Sequence, residues 1–293
     1  MIYLLGVILF GAWVRITGSG AGCGSHWPTC HGVVIPIEPN MKTIIEFSHR
    51  LTSGLLGIFA LVFAFTFVKR WGLKAPGKVA LITLFFVIAE ALVGAGIVLK
   101  ELVTDDASVA RASVIAFHLV NTLFLTGAAA LAAHWVKKGP SPFTYSKHLL
   151  FCGLALLAIV LTSLTGAVTA LGDTLFPINI ENGHSVFSNV QAGLDTTNHF
   201  LVRLRIIHPI IATITAVGVA IFSFWSIENE RAAPYAKAGL VVALLQIIVG
   251  YGNIFLGAPG YMQLSHLLLA QCLWICVVLV SAEIAMPRER EHL

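Results

Sequence analysis

Long apolar stretches separated by short polar segments dominate this chain. A stretch of about 20 apolar residues can cross the hydrocarbon core of a bilayer, which is roughly 30 Å thick. Because a backbone exposed to lipid must satisfy its own hydrogen bonds, each stretch is predicted to be a helix. The pattern predicts eight helices: Ile2–Ile16, Glu46–Val68, Val79–Leu99, Arg111–Val136, Leu149–Leu171, Val202–Trp225, Ala238–Leu256 and Leu264–Met286.

The composition agrees with this pattern. Of 293 residues, 57% are hydrophobic and only 11% are charged, whereas soluble domains carry about 25% charged residues. The sequence therefore predicts an all-α integral membrane protein whose main surroundings are the lipid bilayer. The net charge of +4 is small, and no basic patch indicates nucleic-acid binding.

The distribution of Lys and Arg predicts the orientation, since cytoplasmic loops carry an excess of both. One predicted side holds eleven of the eighteen basic residues, so we expect it to be cytoplasmic and to carry both termini. The segments 17–45 and 172–201 then face outward from the plasma (inner) membrane. The eleven residues are Lys69, Arg70, Lys74, Lys78, Lys137, Lys138, Lys147, Arg231, Lys237, Arg288 and Arg290.

An internal repeat relates the two halves of the chain. We therefore expect two tandem, pseudo-symmetric four-helix bundles, an N-terminal one over residues 1–140 and a C-terminal one over 141–293. The matching segments are Glu90–Gly96 with Gln246–Gly252, Phe117–Leu119 with Ser265–Leu267, Gly11-Ala12 with Gly166-Ala167, and His49 with His208.

Four apolar stretches each carry one histidine close to the predicted outer end: His49, His118, His208 and His266. An ionisable residue within a membrane segment is costly and is a functional candidate by default. Two histidines on facing helices of a bundle can hold a heme from both sides. A zinc or copper site would gather three or four ligands at one point. Two separate histidine pairs therefore favour heme.

The first of these histidines belongs to a charged cluster. Helical spacing places Glu46, His49 and Arg50 on one face, ahead of eighteen residues without charge. The cluster is either a functional site or an interfacial Glu46–Arg50 pair beside an uninvolved histidine.

Five arginines also lie at the predicted outer helix ends: Arg15, Arg50, Arg111, Arg203 and Arg205. They either extend to the lipid headgroups or bind an anionic ligand, because Arg pairs well with carboxylates. Heme propionates would be such a ligand. The candidates are Arg50, Arg111, Arg203 and Arg205.

Two cysteines share one polar segment with two histidines. Cys23 and Cys30, interleaved with His26 and His31, form either a disulfide or a metal site. An outward-facing loop lies in an oxidising compartment, which favours the disulfide.

These motifs resemble the heme A synthase family over essentially the whole chain. The likeness is carried by Gly11–Gly20, Cys23, Trp27-Pro28, Cys30, Glu46-x-x-His49-Arg50, His118, His208 and His266. The resemblance implies an eight-helix membrane oxidoreductase that oxidises the C8 methyl of heme O to a formyl group, giving heme A for terminal oxidases.

The resemblance also assigns residues and partners. His208 and His266 would hold a resident heme B, His49 and His118 the substrate heme O, and Glu46 would serve the chemistry. Cys23–Cys30 would be the outer disulfide. Molecular oxygen and an electron donor, for which a quinol is one candidate, would complete the reaction. Heme O synthase is a candidate partner, and a homo-oligomer a candidate assembly.

This chain departs from the family at two places. The segment 172–201 has no second cysteine pair, which some members carry. Glu90 stands where the second half has Gln246, and its role, in proton relay or in hydrogen bonding alone, is open.

Two other functions compete with the synthase. A di-heme cytochrome would only carry electrons, and a heme carrier would do no chemistry. A transmembrane electron wire would place its hemes at opposite depths, whereas all four histidines are predicted near one face.

Overall fold

The computed structural model describes residues 1–139, 148–178 and 186–285, and within these ranges it is all-helical without a β-strand. A short 3-10 turn, Leu204–Ile206, joins the seventh and eighth helices. The α-helices are α1 Ile2–Ile16, α2 Met41–Trp71, α3 Ala75–Leu99, α4 Val109–Lys138, α5 Leu149–Leu175, α6 Val186–Leu194, α7 Phe200–Arg203, α8 Ile207–Ser226, α9 Ala233–Phe255 and α10 Gly260–Ala285.

Among the described residues, seven helical segments are long and apolar enough to cross a membrane, with α7 to α8 counted as one. The chain is therefore a multi-pass membrane protein. Helix α1 has only 15 residues, or about 22 Å at 1.5 Å per residue, less than the hydrocarbon core. Met286 of the last predicted helix, and Lys147, Arg288 and Arg290 of the orientation argument, lie outside the described residues.

Several helices begin earlier than their apolar stretches, and polar side chains cap two of these, α2 and α4. Helix α2 begins at Met41, where the Asn40 side chain accepts a hydrogen bond from the Thr43 N–H (3.0 Å). Helix α4 begins after Ser108, whose hydroxyl accepts from the Arg111 N–H (3.1 Å). Such caps satisfy N–H groups that have no partner within the helix. Hydropathy alone does not register them, so the predicted starts were late.

These starts bring the four histidines to similar positions. His49 is the ninth residue of α2 and His118 the tenth of α4. His208 is the ninth residue counted from Phe200, and His266 is the seventh of α10. Three residues of helix correspond to about 4.5 Å. The histidines thus lie deeper than predicted but keep a similar depth.

The segment 172–201 was predicted to be a loop, and this was wrong in part. It contains the end of α5, the whole of α6 and the first residues of α7. The 3-10 turn that follows lies just before Pro209. Proline has no N–H to donate to the carbonyl of Arg205, so the regular helical pattern cannot continue through this point.

Neighbouring helices pack in two groups, α1 to α4 and α5 with α8, α9 and α10, and within each group the first and last helices also touch. Helix α4 joins the groups by packing on α5 and α10. At this junction the Trp274 indole N–H donates to the Leu123 carbonyl (2.5 Å), and Thr126 donates to Gln271 Oε1 (2.9 Å). We call the end of the molecule at which α2 begins the disulfide end, because Cys23 and Cys30 lie there.

Candidate functional site

A large cavity of about 1840 Å³ opens between the helices towards the disulfide end. Pockets for drug-sized ligands usually measure about 300–1,000 Å³, so this space suits a larger ligand or more than one. All four candidate histidines line it: His49, His118, His208 and His266.

The second histidine pair has the geometry of two ligands facing one metal. The ring centres of His208 and His266 are 6.3 Å apart, and the rings are inclined at 83°. Two imidazoles that bind one metal from opposite sides, with bonds of about 2 Å, have ring centres about 6 Å apart. The pair therefore fits an iron atom held between its rings. Within the described residues no group of three or more His, Cys, Asp or Glu could hold a metal ion.

A threonine orients His208 for such a bond. The Thr165 hydroxyl donates to the Thr162 carbonyl (2.8 Å), and Thr165 Oγ1 lies 3.0 Å from His208 Nδ1. A hydroxyl has one proton to donate, so here it accepts from Nδ1–H. The unprotonated Nε2 is then left to bind a metal, the usual arrangement for a metal-bound histidine. Sequence reasoning missed Thr165, although it directly precedes the repeated Gly166-Ala167.

Glycines lie directly against three of the rings. A Cβ added at Gly11 would lie 3.1 Å from His49 Cε1, and one at Gly166 would lie 3.0 Å from His208 Cε1. A Cβ at Gly250 would lie 3.0 Å from His266 Cε1. A larger side chain would push each ring out of place. This contact gives the repeated Gly-Ala pairs their structural role.

The first histidine pair has different partners. His118 Nδ1 lies 3.2 Å from Glu90 Oε2, and Glu90 also accepts from Asn121 Nδ2 (2.5 Å) and the Thr122 hydroxyl. His49 packs edge-on against Phe10, with ring centres 5.5 Å apart. Carboxylate partners of this kind orient a metal-bound histidine and make it a stronger ligand.

The two halves therefore differ at matching positions. Where Glu90 meets His118, Gln246 meets His266, with Nε2 to Nε2 at 3.4 Å. Where Thr165 bonds His208, Phe10 contacts His49. The first half thus gives one histidine a charged partner, whereas both partners in the second half are neutral.

Glu46 lies at the edge of the cavity but is not free. It is only 3% exposed, and its Oε2 accepts from the Cys23 N–H (2.8 Å) while its Oε1 accepts from Arg50 Nη2 (2.5 Å). Arg50 also donates to the carbonyls of His26 (2.7 Å) and Thr29 (2.6 Å). Glu46 and Arg50 together hold the cysteine loop against α2, a contact that sequence spacing did not reveal.

The cysteine loop itself is closed by the predicted disulfide. Cys23 and Cys30 are bonded, with Cα atoms 4.4 Å apart, and both are fully buried. The disulfide prediction is confirmed, and it uses the two thiols that a metal site would have needed.

The candidate arginines have separate surroundings. Arg111 donates to the Thr104 and Asp106 carbonyls (both 2.7 Å), and its Nε is buried without a hydrogen-bond partner in the described part of the chain. Arg205 pairs with Asp173 (2.9 Å). Arg203 is exposed on the surface. Of the predicted propionate ligands, Arg50, Arg111 and Arg205 line the cavity.

Arg15 has a role that the sequence did not indicate. Its guanidinium donates to the Ala170 carbonyl (2.6 Å), the Thr174 hydroxyl and Gln263 Oε1 (2.9 Å). It thereby ties α1 to α5 and α10 at the wall of the cavity.

The whole chain was compared with known protein families. The family described as cytochrome oxidase assembly protein (COX15-CtaA) matches residues 1–278. The chain belongs to this family. The two histidine pairs are therefore features of a COX15-CtaA family member.

Individual relatives carry two different names. A Thermus thermophilus protein named protoheme IX farnesyltransferase is 41% identical over 285 residues, which cover 94% of this chain but 45% of that protein. Heme A synthase of Halalkalibacterium halodurans is 27% identical over 94% of this chain and 91% of its own length. Heme A synthase of Bacillus cereus is 29% identical over 92% and 86%. This chain thus spans less than half of the Thermus protein and most of the two synthases.

Proposed function

We propose that this chain is a heme A synthase, which oxidises the C8 methyl of heme O to a formyl group. The observation that carries the proposal is the facing His208–His266 pair at 6.3 Å, beside a second histidine pair in the same cavity. The high coverage of two heme A synthases supports it.

We assign the pairs to different hemes. His208 and His266 would hold a resident heme B, which when bound supplies one-electron transfer to the neighbouring site. His49 and His118 would hold the substrate. Residues 1–140 and 141–293 then form two tandem, pseudo-symmetric four-helix bundles, one for each heme.

The substrate reaction proceeds in two oxidations. Each replaces one C–H bond of the methyl group by a C–O bond, first to the alcohol and then to a gem-diol, which loses water to leave the aldehyde. With molecular oxygen as oxidant, each oxidation also takes two electrons and two protons to form one water. An external donor, for which a quinol is one candidate, supplies these electrons.

Glu46 is our candidate catalytic residue. Hydrogen bonds from Cys23 and Arg50 fix its carboxylate at the cavity wall. A fixed negative charge there stabilises positive charge that develops on the methyl carbon during oxidation. Arg50, Arg111 and Arg205 also line the cavity, where they would pair with heme propionates; Arg111 has a buried N–H left to donate.

The Thermus relative suggests where the substrate comes from. Its printed name denotes transfer of a farnesyl group to protoheme, and this chain matches only 45% of it. We propose that a prenyltransferase that makes heme O is a partner of this chain. We further propose that the disulfide end faces outward from the plasma membrane. Lys69, Arg70, Lys78, Lys137 and Lys138 lie at the opposite end of α2, α3 and α4, and they outnumber Lys42, Arg50 and Arg111 at the disulfide end.

Extraction of the hemes tests the function. Cells that produce heme O should yield heme A when they express this chain, and none when His49 or His118 is replaced by Ala. Purified chain that holds heme O without converting it would indicate a carrier. Two bound hemes with redox activity and no heme A would indicate an electron-carrying cytochrome.

Replacing Glu46 by Gln tests the catalytic assignment. Gln keeps an oxygen for the Cys23 N–H but removes the charge, so we expect conversion to fall by about 10²-fold or more with hemes still bound. Heme O or the alcohol should accumulate in the extract. Near-normal production of heme A would mean that Glu46 only pairs with Arg50 and has no catalytic role.

A further inference from the structure

The wall of the cavity is open between α2 and α3. Gly54 and Gly57 of α2 and Gly94 of α3 line the cavity, and a Cβ added at any of them would meet no described atom within 4 Å. The cavity lining therefore continues into an open cleft along these faces of α2 and α3.

The cleft is apolar and reaches the outer, lipid-facing surface of the bundle. Its other lining residues include Leu55 (42% exposed), Ile58 (58%), Ile88 (50%) and Leu92 (61%). Ile58 lies nine residues beyond His49, about 14 Å along the helix axis. The cleft thus runs from the first histidine pair deeper into the membrane region.

The equivalent place in the second half is bridged. By the repeat that matches His49 with His208, Gly54 corresponds to Thr213, and Ala95 corresponds to Tyr251. The Thr213 and Tyr251 hydroxyls lie 3.1 Å apart and join α8 to α9. Two small residues in the first half thus stand where the second half has a hydrogen-bonded pair.

We infer that the α2–α3 cleft binds the isoprenoid tail of a prenylated heme whose iron lies between His49 and His118. This inference rests on the proposed function. A farnesyl group is a fifteen-carbon branched hydrocarbon, so an apolar cleft that continues from the iron site suits it. The farnesyl transfer named for the Thermus relative supplies the matching chemistry. The bridged second half then suits a heme without a tail, and the cleft decides which half receives the substrate.

Heme binding by glycine variants tests the cleft. Purified full-length chain in nanodiscs is titrated separately with heme O and heme B, and bound heme is followed by its absorption. The wild type should bind heme O more tightly than heme B at the first site. Gly54→Leu fills free space without a clash, so it should weaken heme O binding at least about tenfold, the scale of adding or removing one methylene in a pocket. Heme B binding should not change.

A second cleft variant and a control variant outside the cleft accompany this measurement. Gly57→Leu fills the same cleft one turn away and should act in the same direction. Gly218→Leu on α8 also adds its side chain where nothing described lies within 4 Å, but Gly218 is not a cleft residue, so neither heme's affinity should change. Equal weakening of heme O and heme B, or unchanged binding of both in the Gly54 and Gly57 variants, would overturn the inference. A wild type without preference for heme O would mean that the cleft holds only lipid, and would overturn it too.

The same preparations separate this inference from the proposed oxidation. If the wild type makes heme A while Gly54→Leu binds heme O normally, the tail site fails and the synthase proposal stands. If Gly54→Leu selectively loses heme O while the wild type makes no heme A, the tail site stands and the oxidation proposal fails.

Discussion

Glu90→Gln should weaken the first heme site and leave the second unchanged. In the wild type the Glu90 carboxylate accepts from Asn121 Nδ2 (2.5 Å) and the Thr122 hydroxyl, and its Oε2 lies 3.2 Å from His118 Nδ1. The amide that replaces it has one acceptor oxygen instead of two and no charge. It cannot serve all three groups, so His118 loses its fixed orientation and its anionic partner.

The expected magnitude follows from the role of such partners. Removing a group that orients a metal ligand typically costs about 10–100-fold in affinity, or roughly 1.4–2.7 kcal/mol. A carboxylate stabilises ferric iron more than ferrous iron, so most of this loss falls on the ferric state. The midpoint potential of the first heme should therefore rise by up to about 60–120 mV, at 59 mV for each tenfold change.

The two sites provide the controls for this measurement. Heme occupancy and redox titration should show the change in the first heme only, while the heme between His208 and His266 serves as an internal reference. An unchanged affinity and potential of the first heme in Glu90→Gln would refute the reasoning and reduce Glu90 to a packing residue.

Three further predictions concern other parts of the site. Replacing His208 or His266 by Ala should remove a low-spin heme signal from the purified protein, and unchanged heme content in both variants would refute their assignment as ligands. Thr165→Val keeps the shape but removes the hydroxyl that orients His208, so heme retention at the second site should fall about 10–100-fold; retention equal to wild type on gel filtration would contradict this. Cys23 and Cys30 should resist alkylation until reductant is added, because their sulfurs are bonded to each other and neither is a free thiolate, and labelling without reductant would show that the disulfide does not persist.

The apolar pattern alone was sufficient to predict the class of fold. In lipid, a run such as Leu149–Leu171 can only form a helix that satisfies its own backbone hydrogen bonds. The observed helix spans Leu149–Leu175 and so ends close to the predicted end. Helix starts that depend on one polar capping side chain were predicted less accurately. The Asn40 cap moved the start of α2 to Met41, which placed His49 deeper than its distance from the apolar run indicated.

The sequence also identified the residues that the cavity brings together. All four histidines, Glu46 and Glu90 were recognised because charge or imidazole in an apolar stretch is costly and stands out, and all of them line one space. The division into two four-helix units placed His208 and His266 in the same unit, and their ring centres lie 6.3 Å apart. The disulfide followed from two cysteines seven residues apart in one polar segment.

Only the tertiary structure decided what these residues contact. Thr165, Arg15 and Asp173 belong to the site through partners far away in sequence, such as His208 for Thr165 and Gln263 for Arg15. A threonine in an apolar helix carries no signal of its own, because its hydroxyl can bond the preceding turn. Likewise, the sequence shows that Gly54 is small, but not that the space beside it is empty. Contacts and voids depend on how helices cross, and hydropathy records only which residues favour lipid.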